Sequence, residues 1–219
     1  MKANQLELSR LKQEAADENT PGDRLKELAT INLELARLVA SNPSAPPELL
    51  QELTYKFYCN GDPTGSSYKP ICKAIASNPN TSQDMLDILV SEFPLQVLNN
   101  SVLDLLLLEN PSFLDQLCQT CYCYSTFQVD GLPFFFLKRA VCHPDIHVRI
   151  AVADSPATPQ YFLEQLAKDS DYYVRCAVAN NPSTPTNTLK QLVQDFDYWI
   201  CFTAAKNLVK QLEPFIIPF

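Results

Sequence analysis

Three cysteines in "LCQTCYCYS", Cys118, Cys121 and Cys123, stand in a C-x2-C-x-C pattern. Thiolates at this spacing can converge on one soft ion, so the cluster is a candidate zinc or iron–sulfur site. A fourth ligand would come from Cys142 or His143. The competing reading is a set of buried thiols. The flanks are apolar and aromatic, no second C-x-x-C follows, and cysteine is among the most readily buried residues. The two histidines, His143 and His147, lie four apart in "CHPDIHVR". Two His at that spacing on a helix can ligate a metal, but the Glu of H-E-x-x-H is missing and Pro144 interrupts the turn. They are therefore expected to be structural or solvent-facing. Cys72 and Cys176 read as small core residues, and so does Cys201, which follows Cys176 after 25 residues. A nucleophilic cysteine would want a histidine base beside it.

Arg149 and Arg175 recur at one position of a repeated segment, each four residues after an aspartate, Asp145 and Asp171. Pairs at i and i+4 meet across a helical turn, so one expectation is a polar ladder holding neighbouring units in register. The other is a row of guanidiniums on a binding face. Tyr172, Tyr173, Tyr198 and Trp199 are duplicated in the same way. Aromatic pairs at unit boundaries usually pack, yet Tyr, Trp and Arg are also the residues that anchor protein interfaces. These six residues form the candidate partner-binding set. No Gly-rich phosphate loop, Ser-His-Asp order or dinucleotide fingerprint is present, and "GDPTGSS" at 61–67 reads as an insertion loop. No catalytic residue and no cofactor are expected.

These candidates sit on a repeat that must position them. Residues 148–173, "VRIAVADSPATPQYFLEQLAKDSDYY", align with 174–199, "VRCAVANNPSTPTNTLKQLVQDFDYW", at 14 of 26 positions without a gap. Self-similarity at a fixed period marks an array of small supersecondary units. Thr184-Pro185 is expected to start a helix, with Thr as N-cap and Pro at the first helical position. "NNP" is expected to stop one, because proline drives its predecessor out of the α region. Helices this short cannot bury an apolar stripe alone and must stack. The pattern recurs in "LARLVASNPSAPPELLQEL" (35–53) and "ICKAIASNPNTSQDMLDIL" (71–89), with weaker copies in "LLLLENPSFLDQL" and "FFFLKRAVCHPDIH". The expected organisation is one helical-repeat domain: a cap at 1–34, irregular repeats at 35–133, regular 26-residue repeats at 134–209 and a tail at 210–219.

The string V-R-x-A-V-A-x-N-P-x-T-P-x-x-x-L-x-x-L resembles the leucine-rich repeat variant family, most clearly over 137–209 and more weakly over 35–117. The resemblance implies an all-α, right-handed solenoid in which α-helices alternate with short or 3-10 helices, without a sheet. It also implies a scaffold more than any reaction. One member of that family holds an iron–sulfur cluster through an N-terminal cysteine group. Here the first cysteine is Cys59, so that segment is expected to be absent.

Charge narrows the partners. The net charge is −8, and residues 61–130 hold two lysines against eight acids. This is the reverse of a phosphate-tracking surface, so nucleic acid is not an expected partner. No run approaches the ~18 uncharged apolar residues of a membrane span. The expectation is a cytoplasmic, non-enzymatic scaffold that binds a protein or peptide, with reduced cysteines. The alternative is a metal- or cofactor-associated repeat protein using Cys118, Cys121 and Cys123.

Overall fold

Asn-Pro is where helices end. In a computed structural model describing residues 2–59, 67–121 and 126–212, helix α3 (Leu33–Ser41) stops at Asn42 before Pro43. Helix α5 (Lys69–Ser77) stops at Asn78, and α13 (Tyr172–Asn180) stops at Asn181. The three asparagines are extended, with ψ of 122°, 130° and 125°. The cause is the following proline, whose Cδ crowds the α region.

The described residues form fifteen α-helices and one π-helical turn, with no strand. They fall into two compact units, Met1–Pro111 and Ser112–Phe219. In the first, α1 (Lys2–Ala16), α3, α5 and α7 (Pro94–Leu98) stack consecutively. Between them come α2 (Gly22–Ile31), α4 (Pro47–Thr54) running into the π turn Tyr55–Cys59, and α6 (Gln83–Leu89), with α8 (Leu103–Glu109) last. In the second unit, α9 (Phe113–Thr120) precedes two interleaved series. Helices α10 (Phe134–Ala140), α12 (Gln160–Leu166) and α14 (Thr186–Leu192) start 26 residues apart. So do α11 (Ile146–Asp154), α13 and α15 (Tyr198–Leu212), which stack one on the next. Buried Phe113, Phe127, Phe136 and Phe162 centre the core of this unit.

Where the resemblance allowed 3-10 helices, the structure has short α-helices. Leu189 N–H donates to Pro185 O and Val193 N–H to Leu189 O, both i to i−4 bonds. The threonine of Thr-Pro also acts differently from expectation. Helix α14 begins at Thr186 with Pro185 as its N-cap. Thr184 Oγ1 turns back and donates to Val178 O at 2.6 Å, and Thr158, Thr81 and Thr20 do the same to Val152, Ile75 and Glu14. The last carbonyls of a helix lack intrahelical partners, and a hydroxyl six residues on supplies one. Thr184 thus closes the preceding helix instead of opening the next.

The asparagine joins one repeat to its neighbour. Asn181 Nδ2 donates to Ala153 O and Ser155 O, both at 2.7 Å, and its Oδ1 accepts from Ser183 N–H at 2.8 Å. Asn78 repeats this on Ala40 O and Asn42 O, Asn100 on Ala76 O and Asn78 O, and Asn42 on Ala15 O and Asp17 O. Asn207 donates to Ala179 O and Asn181 O. The residue whose carbonyl is reached first is always alanine, and Ala15, Ala40, Ala76, Ala153 and Ala179 are fully buried. A larger side chain there would hold the next asparagine off. At Ser155 the rung thins: its Oγ donates only one bond, to Phe127 O at 2.5 Å, and accepts from Ala157 N–H at 3.2 Å.

Two departures follow from single residues. Asn207 is followed by Leu208, not proline, so α15 runs on for 15 residues where its predecessors stop at nine. At the start of α2, a Cβ on Gly22 would lie 2.7 Å from Pro46 Cγ, so only glycine lets the two Pro-led turns approach.

Asn181 is 1% exposed, so Asn181→Ala leaves the buried Ala153 carbonyl and the Ser183 N–H without their partners, while Ser155 O keeps only the Thr158 N–H. Each such group costs about 1–3 kcal/mol, and a loss of roughly 2–4 kcal/mol is expected in urea unfolding of the intact chain. Asn181→Ser, copying Ser155, is expected to lose less. Equal losses for the two would contradict the rung.

Candidate functional site

The recurring arginines face inward along the chain. Arg149 Nε and Nη2 hold Asp169 at 2.8 and 3.2 Å, while Nη1 donates to His143 O and Pro144 O. Arg175 repeats the pattern one unit on. Its Nε and Nη2 hold Asp195 at 2.9 and 3.4 Å, and Nη1 donates to Asp169 O and Ser170 O. The loop at Asp169 and Ser170 is therefore gripped twice, by its carboxylate from Arg149 and by its carbonyls from Arg175. Arg175 is 5% exposed, with its guanidinium 4.6 Å from the Phe196 ring centroid. This is a register ladder, with partners other than the expected ones. Asp145 and Asp171 cap their helices instead, accepting from His147 N–H at 2.9 Å and Tyr173 N–H at 2.7 Å. An aspartate just before a helix meets the free N–H groups of the first turn before it can reach a side chain at i+4.

The ladder also re-registers two residues. Cys201 Sγ donates to Asp195 O at 2.9 Å, the role Arg175 plays on Asp169 O, so Cys201 stands in the arginine register and not that of Cys176. His143 stands in the register of Asp169 and Asp195, its Nδ1 accepting from Asp145 N–H at 3.0 Å as Asp169 accepts from Asp171 N–H. His143 lies in the loop before α11 and His147 in its first turn, so the pair does not share a helical face. With Nδ1 accepting, the ring proton sits on Nε2. That atom is buried without a hydrogen-bond partner among the described residues, and Asp115 Oδ1 is 4.0 Å away.

Asp115 is engaged by the Arg139 guanidinium through Nε and, at 2.6 Å, through Nη2. These hydrogen bonds hold its carboxyl below the usual aspartate range, against a smaller opposing effect of burial. Nearby Cys118 and Cys121 are buried. Burial first, and the Asp115 charge second, push the Cys118 thiol up to about 12. A thiol so raised is neutral at physiological pH and is a poor nucleophile. No three His, Cys, Asp or Glu among the described residues are placed to hold a metal ion. Cys123, the third member of the predicted cluster, lies outside those residues, as do most of the "GDPTGSS" segment and the tail from Glu213.

The aromatic members of the candidate set are on the surface. Tyr173, Tyr198 and Trp199 are exposed and Tyr172 is half-buried, with the Tyr172 and Tyr173 rings edge-on at 5.1 Å. They occupy the first turns of α13 and α15, so the 26-residue repeat sets them side by side. Sequence reading missed their neighbours. Phe196 and Phe202 are exposed, the latter 5.9 Å from the Trp199 ring, and Phe134 and Tyr161 form a second exposed pair 6.3 Å apart. The available signal was position: Phe134 opens α10 and Tyr161 lies in the first turn of α12, where the apolar stripe has not begun to face the core.

Residues 9–55 match the family model of the Leucine Rich Repeat Variant domain. That repeat-variant segment contains α2, α3 and α4 whole, and with them the Asn42 rung and the close approach of Gly22 to Pro46. The helical stacking on either side of it is compatible with a solenoid of such repeats. No curated protein and no solved structure matches the chain. Among the described residues no helix is long and apolar enough to cross a membrane.

Two outcomes are expected. Asp115 adds stability above the ordinary aspartate pKa, and that stability is lost as pH falls through its lowered folded value. Asp115→Asn should therefore flatten the acid limb of a melting-temperature profile below about pH 4. Brief iodoacetamide treatment of native protein at pH 7.4 should label exposed Cys142 and spare Cys118, as read by peptide mass. Rapid labelling of Cys118 would contradict its burial.

Proposed function

We propose that the chain is a non-catalytic scaffold that binds a protein or peptide and acts in the cytoplasm. The carrying observation is how the repeated residues divide. The asparagines and arginines are consumed in holding units together and the threonines in closing helices within them, whereas the repeated aromatics Tyr173, Tyr198 and Trp199 are left exposed on adjacent helices. Large, stiff amphipathic side chains lose little entropy on binding, and clusters of them are where interface energy concentrates. Tyr172 completes the ridge at its half-buried edge. Arg149 and Arg175 support it from beneath by fixing the loops on which the aromatics begin. The repeat-variant match supports a scaffold, and the acidic 61–130 segment favours a protein over nucleic acid. Cys118, Cys142, Cys176 and Cys201 are free thiols, which suits a reducing compartment.

The test compares the intact protein with a Tyr173→Ala/Trp199→Ala variant as bait in extract of the source cell. Loss of an aromatic anchor typically costs about 2 kcal/mol of binding, ~30-fold in affinity. Exposed substitutions usually change stability by less than about 0.5 kcal/mol. The expected result is a reproducible set of captured proteins that the variant loses, with its melting temperature unchanged. Identical captures by both baits, or none by either, would overturn the reading.

A further inference from the structure

Among the described residues, helix α15 has two apolar faces and packs against one layer, that of α13 and α14. Ile200 and Ala204 are buried against the preceding helices, and Asn207 makes its rung on that side. On the opposite side Tyr198, Phe202, Ala205, Val209 and Leu212 follow one another at steps of four, three, four and three. Four of them are well exposed, at 79, 50, 56 and 44% for Tyr198, Phe202, Val209 and Leu212. Steps of this kind keep residues on a single stripe, the seam along which one helix packs on another. A groove of about 500 Å³ runs along it, lined by Phe202, Ala205, Lys206, Val209 and Lys210.

The array itself uses this register for helix packing. One unit back, the positions of Tyr198, Phe202 and Ala205 are Tyr172, Cys176 and Ala179. One further back they are Ile146, Ile150 and Ala153. In α11 and α13 these positions are half-buried or buried, and each of those helices is covered by the next in the stack. In α15 the same stripe is open, and Phe202 stands where the earlier units have isoleucine and cysteine. Its charge has also changed. Where α11 has Asp154 and α13 has Asn180, α15 has Lys206. Lys210 follows one turn later, and no acid lies anywhere in the helix, in a chain of net charge −8.

We infer that the α15 seam is a docking site for an acidic amphipathic helix of a partner protein, lying where a further helix of the stack would lie. The inference rests on the scaffold reading and deepens it. Apolar partner residues at 4-3 steps fill the stripe, and partner carboxylates meet Lys206 and Lys210 along its edge. A second copy of the chain fits less well, because two-fold pairing of this seam brings lysines toward lysines.

The test uses the full chain and a fluorescein-labelled synthetic helix of ~18 residues, five turns, with leucines at 4-3 steps and glutamates beside them. A twin carries lysines in place of the glutamates. By fluorescence anisotropy the glutamate peptide should bind at least about tenfold more tightly than its twin. Phe202→Asp/Val209→Asp should weaken it by a similar factor. Lys206→Glu/Lys210→Glu, which touches only exposed positions, should invert the preference. Tyr173→Ala should leave it intact, since Tyr173 is off the seam. Equal binding of the two peptides, or indifference to the lysine reversal, overturns the inference. So does sedimentation as a dimer that Phe202→Asp dissociates, which would make a second copy the occupant. Glutamate-peptide binding that appears only after Phe215→Asp/Ile217→Asp also overturns it, since the chain's own tail would then be the occupant. Failure of the peptide while captures dependent on Tyr173 and Trp199 persist removes the seam and leaves the scaffold reading standing.

Discussion

A buried asparagine amide, donating both hydrogens to carbonyls of the preceding helix, is the constraint on which the other features depend. A stack of short helices leaves many helix ends inside the protein, each with carbonyls that have no partner in their own helix. Without donors each of those groups would cost about 1–3 kcal/mol. Asn42, Asn78, Asn100, Asn181 and Asn207 meet the need between neighbours, and Thr20, Thr81, Thr158 and Thr184 meet it within one repeat. Alanine stands wherever the amide arrives, and proline ends the helix after Asn42, Asn78 and Asn181, though Asn100 and Asn207 make the rung without it. The N-P-x-T-P string is this set of requirements written in order.

Much of this was legible in the sequence, because the requirements are local. Helix ends, the 26-residue period, the stacking alanines and the all-helical class follow from residue types at fixed offsets. What escaped was the direction in which side chains act. Thr184 before Pro185 has the signature of an N-cap, and only the fold shows the hydroxyl reaching back to Val178. Asp145 and Asp171 are at the offset of an i, i+4 ion pair, yet the free N–H groups of the first turn claim them, leaving the arginines to aspartates 20 residues on. The rung at Asn100 was hidden because serine, not proline, follows it.

The candidate surface was half legible for a related reason. Duplication points to Tyr172, Tyr173, Tyr198 and Trp199 but does not separate packing from display, since a repeat conserves both. Burial separates them: the arginine ladder is closed off and most of the aromatics are open. The exposed stripe of α15 has no counterpart among the repeat's own signals, because in α11 and α13 the same register is covered by the following helix. Its trace in the sequence is the leucine that replaces proline at 208, which lets the helix lengthen.

The acceptors of each rung are backbone atoms, and every residue carries the same carbonyl oxygen. A joint built this way recognises chain geometry, not its neighbour's side-chain identity. Asn78 thus grips a repeat ending in Ala-Ser-Asn as Asn181 grips one ending in Ala-Asp-Ser. Whole repeats can therefore be duplicated, deleted or exchanged without redesigning the joint, so long as the alanine and the asparagine travel with them. Length is a freely adjustable property of such a molecule, and its outer residues can diverge until little besides the joints remains recognisable.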